Sequence, residues 1–581
     1  MRTSSGSNQL ATVLEQWFVR HSGEREAEAR ILGWCARKIV EARAEGHSCL
    51  KPDQLGGDTG EGPGRDAASV REILTASRWC SDGSRETPLV LDRAGRLYFR
   101  RTWLAEDSLS QALARRIAAP MESDPVRAGE LIREQFQEAA AKVDWQALAV
   151  AAAVRNRFTV ITGGPGTGKT YTIARLIHVL RGMQQSLSFA LAAPTGKAAR
   201  RMKESLAAAK VTDLPESQTL HALLGFQGGK GTFARGERDP LPHDLVIVDE
   251  ASMADVELVH ALVAAMRPEA RLVLVGDRDQ LPSVDLGQIL ADLCGMAQPE
   301  LGVGKALATW SRHAGLQVDE RTDDSASDPM ASAVVALRVT HRFKPDSGLG
   351  RAAVAIARRK AEAVMEVVDG KPADLLRVEP GTLGAELQRL QEQFKACVAA
   401  KDPKLALAAH NKLRVLCVQN EGPHSVADLN RRIEQQLNAF GTWYHGRPVL
   451  VTRNDADLGL NNGDLGVCLH VDGTPKVFFA SDTTEPRSFL PEQLPEHRTA
   501  WAMTVHKAQG SEADEVLLVL PPKAEGQVEK LLQAPLVYTG LTRAKERATI
   551  VADRAVLQKA LGTWPTRASG LADALRAALG S

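Results

Sequence analysis

A chain of 581 residues is long enough for several domains, each burying its own core. Hydrophobic residues make up 44% and charged residues 25%, which excludes a disordered or fibrous protein. The formal net charge of +1 excludes bulk attraction to nucleic acid, so any such partner must be held in a local groove.

The seven cysteines are scattered, with no C-x-x-C pair, and read as buried free thiols in a reducing compartment. Met1 to Ser7 lack the apolar core of a signal peptide, and no apolar run reaches membrane-helix length. The expectation is a soluble, cytoplasmic protein with no membrane partner. Residues from about 8 to 115 open with a helical pattern, as in Ala27 to Trp34. A loop rich in Gly and Asp (53–65) and a hairpin, Pro88–Leu91 against Arg96–Phe99, follow. No catalytic constellation occurs there, and a structural or docking role fits best. Asp124 to Arg155 is helical again.

Phe158 to Ile161 is a β-branched apolar run leading into Gly163-Gly164-Pro165-Gly166-Thr167-Gly168-Lys169-Thr170 and then a helical segment. Strand, G-x-x-x-x-G-K-[ST] loop and helix, in that order, make a P-loop for a nucleoside triphosphate. The backbone must turn tightly and aim its N–H groups at phosphates, which a Cβ would obstruct. Lys169 suits the β- and γ-phosphates and Thr170 suits Mg²⁺. Gln146, shortly before the strand, either reads an adenine edge with its amide or is a surface residue.

Phe189–Ala193, Leu245–Val248 and Arg271–Val275 read as further buried strands alternating with helices, a doubly wound parallel sheet. Polar residues sit at their C-terminal ends: Pro194-Thr195-Gly196-Lys197, Asp249-Glu250 and Gly276-Asp277 through Gln280. Behind a P-loop, Asp249 is the expected Mg²⁺ carboxylate and Glu250 the base for the attacking water. A Gly-rich stretch (225–242) reads as an inserted hairpin, and 319–328, acidic and Ser-rich, as a solvated loop. A second α/β pattern has strands at Leu413–Val418, Glu515–Leu520 and Ala548–Val551. Inside it, Gly446 to about Ser488 alternates like a small β-barrel.

Taken in order, the P-loop, Ala193–Ala199, Thr219-Leu220-His221, Asp249–Ser252, Gly276–Pro282, Thr340–Phe343, Thr504–Glu512 and Val537–Ala544 resemble the motifs of superfamily 1 helicases. Their wording, with Asp144-Trp145-Gln146 and Trp443 to Val449, is similar to the RecD family, the alpha subunits of the bacterial RecBCD exonuclease V. Tyr171 stands where that pattern usually has a second Thr, and the loop before Thr340 is lengthened.

That resemblance implies two RecA-like P-loop domains closing on ATP in a 5′→3′ motor acting on single-stranded and duplex-end DNA. It implies a heterotrimer with RecB-like and RecC-like subunits, any nuclease site lying in another subunit. The implied divisions are an N-terminal docking domain (1–120) and a first motor domain (121–335) carrying a hairpin at about 225–243. A second motor domain (336–581) carries an SH3-like β insertion at about 440–500. Gln280 is implied to sense the γ-phosphate, Arg342 and Arg543 to be arginine fingers, and Glu512 to lie at the nucleotide. Thr195, Lys197, His221, Thr504 and His506 are implied DNA contacts. The N-terminal region, with Trp17, Phe18, Trp34 and Trp79, is implied to dock on the RecC-like partner through an exposed apolar patch. A stand-alone RecD-like helicase is the nearest alternative. A non-catalytic nucleotide clamp is disfavoured by Glu250, for which a clamp has no use.

Overall fold

The computed structural model describes residues 4–57, 64–184, 186–229, 231–283, 285–344, 346–455, 457–481 and 485–580. The first three residues and 58–63 of the Gly- and Asp-rich loop lie outside them.

Six parallel strands form the first sheet, in the order Val334–Leu337, Phe158–Gly163, Arg271–Gly276, Leu245–Val248, Phe189–Ala193, Ser217–Thr219. Central strands are apolar throughout because both faces are covered and side chains alternate between them. Ile161, Ile247 and Val273 enter one core with the helices Trp145–Arg155 and Lys169–Met183. Val160, Val246, Leu272 and Leu274 enter the opposite core.

That opposite core corrects the expected divisions. It is closed by Leu109 and Leu113 of the helix Arg100–Ala118 and by Leu571 and Leu575 of the helix Leu571–Leu579. The first was expected in the docking domain and the second in the other motor domain. Each carries an i, i+4 apolar pair, and each buries it on the first sheet.

The second parallel sheet runs Leu375–Val378, Ala544–Val551, Ala513–Val519, Leu413–Cys417, Ala502–Thr504. Between Leu413–Cys417 and Ala502–Thr504 in the chain a five-stranded antiparallel sheet, Pro448 to Thr499, encloses a small core of Val449, Val451, Leu460, Cys468, Val477 and Phe479. Phe226–Gln227 pairs with Thr232–Phe233 as a short hairpin.

At the N-terminus the helices Ser4–His21 and Glu26–Ala44 pack together over a small sheet holding the hairpin Leu89–Leu91 and Leu97–Phe99. Phe18 and Trp34 are buried there, and Trp79 donates its indole N–H to the Ser22 carbonyl at 2.8 Å. The exposed large apolar side chains of this region are Leu10, Val13, Trp17 and Val19 on the first helix, 52%, 60%, 40% and 38% exposed, and Leu104 at 39%. The segment 319–328 is no free loop: buried Arg321 donates to both Asp323 oxygens (2.6 and 2.8 Å) and to the Ala297 carbonyl (2.6 Å). All seven cysteines are free and buried. Among the described residues no helix is long and apolar enough to cross a membrane.

Candidate nucleotide cleft and nucleic-acid track

Parallel order brings the C-terminal ends of neighbouring strands to one sheet edge, and the P-loop leaves that edge at Gly163. Gly166 and Gly168 have φ of 75° and 82°, where an L side chain is strained. A Cβ on Gly166 would lie 2.2 Å from Arg342 Cβ, and one on Gly168 2.3 Å from Gln146 Nε2. A Cβ on Gly164 would come within 3.0 Å of the Tyr538 hydroxyl. The Pro165 carbonyl accepts from Thr340 Oγ1 at 3.0 Å, and Thr167 Oγ1 donates to the Gly164 carbonyl at 2.8 Å. Lys169 Nζ donates to the carbonyls of Gly163 (2.7 Å) and Gly164 (3.0 Å), which holds the cation inside the loop. Thr170 follows it in the first turn of the helix. Gln146 Nε2 donates to the Thr167 carbonyl at 2.8 Å, so this amide braces the loop.

Asp249 and Glu250 leave the same edge after Val248. The Asp249 carboxylate is buried and accepts from the Glu250 N–H at 2.9 Å. Burial, then the Glu250 charge, push its pKa up to about 6, against the pull of Lys169 and Arg201. Glu250 adopts φ 52°, ψ 36°, a left-handed turn for a non-glycine residue at the expected water-activating position. Gln280 is buried and donates to Asp277 Oδ2 at 3.1 Å, where the Tyr538 hydroxyl also donates at 3.1 Å. The γ-phosphate sensor expected at Gln280 is thus tied to a carboxylate of its own loop.

The second sheet supplies the facing wall. Leu281 N donates to Thr539 Oγ1 at 3.0 Å, and Gln509 Nε2 to the Leu281 carbonyl at 3.2 Å. Arg543 is buried, donating to the carbonyls of Thr539 (3.1 Å) and Ser511 (3.4 Å), and burial lowers its pKa. Arg342 donates to the Thr542 carbonyl at 2.9 Å and pairs with Glu512. Glu512 also accepts from Arg201. The residue expected at the nucleotide is therefore shared by two guanidiniums. Arg201, Asp277 and Tyr538 were not among the expected site residues. Lys197 and Arg201 stand four apart on one helix, the spacing that places both on one face.

The expected DNA contacts lie at the neighbouring edge. Thr195 caps the helix Gly196–Ala208 by accepting from Ala198 N at 3.3 Å, and buried Thr504 caps Val505–Ala508 by accepting from Lys507 N at 3.4 Å. Both hydroxyls thus serve the backbone. Lys197 Nζ is buried with no hydrogen-bond partner among the described residues. Burial, then Arg414, push its pKa down to about 7. The turn Asn461–Asp464 of the antiparallel sheet covers this corner. A Cβ on Gly196 would meet Asn461 Cγ at 2.5 Å, Arg200 lies 3.4 Å from Asp464, and Lys507 Nζ donates to Asn462 Oδ1 at 2.7 Å. His506, beside Lys507, is partly buried, which lowers its pKa. Thr219 pairs in register with Ala193, so exposed His221 lies at the same edge as Thr195. It packs edge-on against Phe226 of the hairpin, centroids 5.2 Å apart.

A model of the AAA domain matches residues 146–286, and one of the UvrD-like helicase C-terminal domain matches residues 499–551. The RecBCD enzyme subunit RecD of Haemophilus influenzae is 32% identical over 530 residues, covering 82% of this chain and 80% of that protein. The RecD subunit of Mycolicibacterium smegmatis is 34% identical over 514 residues, covering 83% and 82%. The ATP-dependent RecD2 DNA helicase of Deinococcus radiodurans is 30% identical over 503 residues, 84% of this chain but 59% of its own length. With the P-loop, the acidic pair and the facing arginines in place, the chain belongs to the RecD family.

Proposed function

We propose that this chain is the ATP-dependent 5′→3′ DNA helicase subunit of a RecBCD-type complex with RecB-like and RecC-like partners, acting on single-stranded DNA at duplex ends. The observation that carries this is the meeting of the P-loop, Asp249-Glu250, half-buried Arg342 and buried Arg543 between two parallel sheets. RecD subunits match at 32% and 34% identity over more than four-fifths of this chain, which supports a RecBCD-type subunit.

The residues fit ATP and Mg²⁺. Glycines form a cradle that any Cβ would fill, and a hydroxyl with a carboxylate is a donor set for a hard cation. Lys169 and the loop amides would hold the phosphates, Thr170 and Asp249 would hold Mg²⁺, which would offset phosphate charge, and Gln146 steadies the loop. Glu250 takes the proton of the attacking water. Arg342, which follows the first sheet's strand Val334–Leu337 and lies against the P-loop, and Arg543, which precedes the second sheet's strand Ala544–Val551, stabilise the charge of the transferring phosphoryl group only when the cleft is closed. Hydrolysis is thereby tied to domain motion.

The test is unwinding by the full chain on tailed duplexes. A 5′-tailed duplex is opened and a 3′-tailed one is not; equal rates overturn the polarity. Lys169→Ala abolishes turnover, and Glu250→Gln binds ATP but loses roughly two decades of kcat. Normal hydrolysis by Glu250→Gln removes the base assigned here.

A further inference from the structure

Glu512 is held between two arginines from different parts of the chain. Arg342 lies against the P-loop: its neighbour His341 donates its N–H to the Gly166 carbonyl at 2.8 Å. Arg201 lies on the helix Gly196–Ala208, which Thr195 caps and whose first turn carries Lys197. Both guanidiniums pair with the same carboxylate oxygen of Glu512.

For Arg342 to reach a phosphate it must let go of Glu512. A carboxylate in this cleft left without a cation is strongly unfavoured. Arg201 removes that obstacle, since it keeps Glu512 paired after Arg342 has turned away. Arg201 also sits within a crowd of like charge, with Lys197, Arg543 and Arg342 in electrostatic reach, and Asp249 and Glu250 opposing them. A nucleic-acid phosphate arriving at the head of this helix neutralises part of that crowd and shifts the helix that carries Arg201.

We infer that Arg201 is a positioning residue that couples single-stranded DNA to hydrolysis: it draws Glu512 from Arg342 when DNA engages its helix, freeing the arginine finger for the γ-phosphate. This rests on the helicase reading above. The coupling is reciprocal by thermodynamic linkage, so ATP in turn strengthens the hold on DNA.

The experiment measures ATP turnover of the full chain with and without a poly-dT oligonucleotide, and oligonucleotide affinity by fluorescence anisotropy. Arg201→Gln is expected to cut the ratio of DNA-stimulated to basal turnover at least about tenfold, while DNA affinity stays within about threefold of wild type. Arg201→Lys, which keeps the charge but not the planar fork, is expected to retain roughly a third or more of the ratio. It also serves as the readout if Arg201→Gln does not fold, and a ratio as low as basal in that well-folded variant overturns the proposal. So does an Arg201→Gln variant that keeps the ratio within about twofold, or one that loses DNA affinity in proportion to stimulation, since Arg201 is then only a DNA contact. A wild-type chain with no DNA stimulation overturns the helicase reading itself; stimulation that survives Arg201→Gln overturns the coupling alone.

Discussion

A lysine ammonium needs acceptors or water, and the head of Lys197 is buried with no hydrogen-bond partner among the described residues. Its pKa, lowered to about 7, sets the sign of the effect. Between about pH 7 and the ordinary lysine value near 10.5, the unfolded chain binds a proton that the folded chain does not, so stability from this residue rises with pH across that window. Below it the penalty is at its full value. Lys197→Met is therefore expected to raise Tm by roughly 2 °C or more at pH 7, with the gain shrinking toward pH 10, while weakening single-stranded DNA binding at low salt. Thermal melting across pH checks the first part; no stabilisation at pH 7 contradicts the burial argument. At this scale the sequence singled out candidate side chains by motif. It did not display what faces them: Glu512 pairs with Arg201, 311 positions away, and Gln146 bonds a P-loop carbonyl. Local spacing carries no information about partners folded in from so far.

Among the elements, the strands legible in the sequence are the central ones. Phe158–Gly163, Arg271–Gly276, Leu245–Val248 and Phe189–Ala193 are buried on both faces and so read as apolar runs. The four that went unread are all edges: Val334–Leu337 and Ser217–Thr219 of one sheet, Leu375–Val378 and Ala502–Thr504 of the other. All four are short, three or four residues each, and Ser-Gln-Thr has no apolar signature at all. The turn Asn461–Asp464 gives an element-scale prediction. Gly196 has ordinary helical geometry, so its need for glycine comes from contact with Asn461 alone. Gly196→Ala is expected to push that turn away and weaken single-strand affinity about fivefold, near 1 kcal/mol, without loss of fold. Adding Asn461→Gly removes the clash and restores affinity. If the double variant is as weak as the single, the turn is not what the alanine disturbs.

On the scale of the whole molecule, the chain returns to its beginning. Arg567 donates to the carbonyls of Ser283 (2.7 Å), Asp285 (2.8 Å) and Gly287 (2.7 Å). Ser48 N donates to the Ala568 carbonyl at 2.8 Å, and buried Glu106 accepts from Ser569 Oγ and Gly570 N, each at 2.9 Å. The N-terminal region is thus stitched to the end of the chain and, through the helix Arg100–Ala118, to the first sheet. Removing it would open the motor's core, so its proposed docking role is better tested on its surface. Leu10, Val13 and Trp17 follow i, i+3, i+7 spacing and form an exposed row on the first helix. Large apolar and aromatic side chains in such a row are what a partner's pocket takes as anchors. Leu10→Ser, Val13→Ser and Trp17→Ala together are expected to leave ATP hydrolysis as in wild type, because none of the three belongs to the cleft. Co-purification with the RecC-like subunit is expected to fall at least tenfold, a loss of about 1.4 kcal/mol or more. If the triple variant assembles as wild type does, the row is ordinary exposed surface and the partner is held elsewhere on the motor.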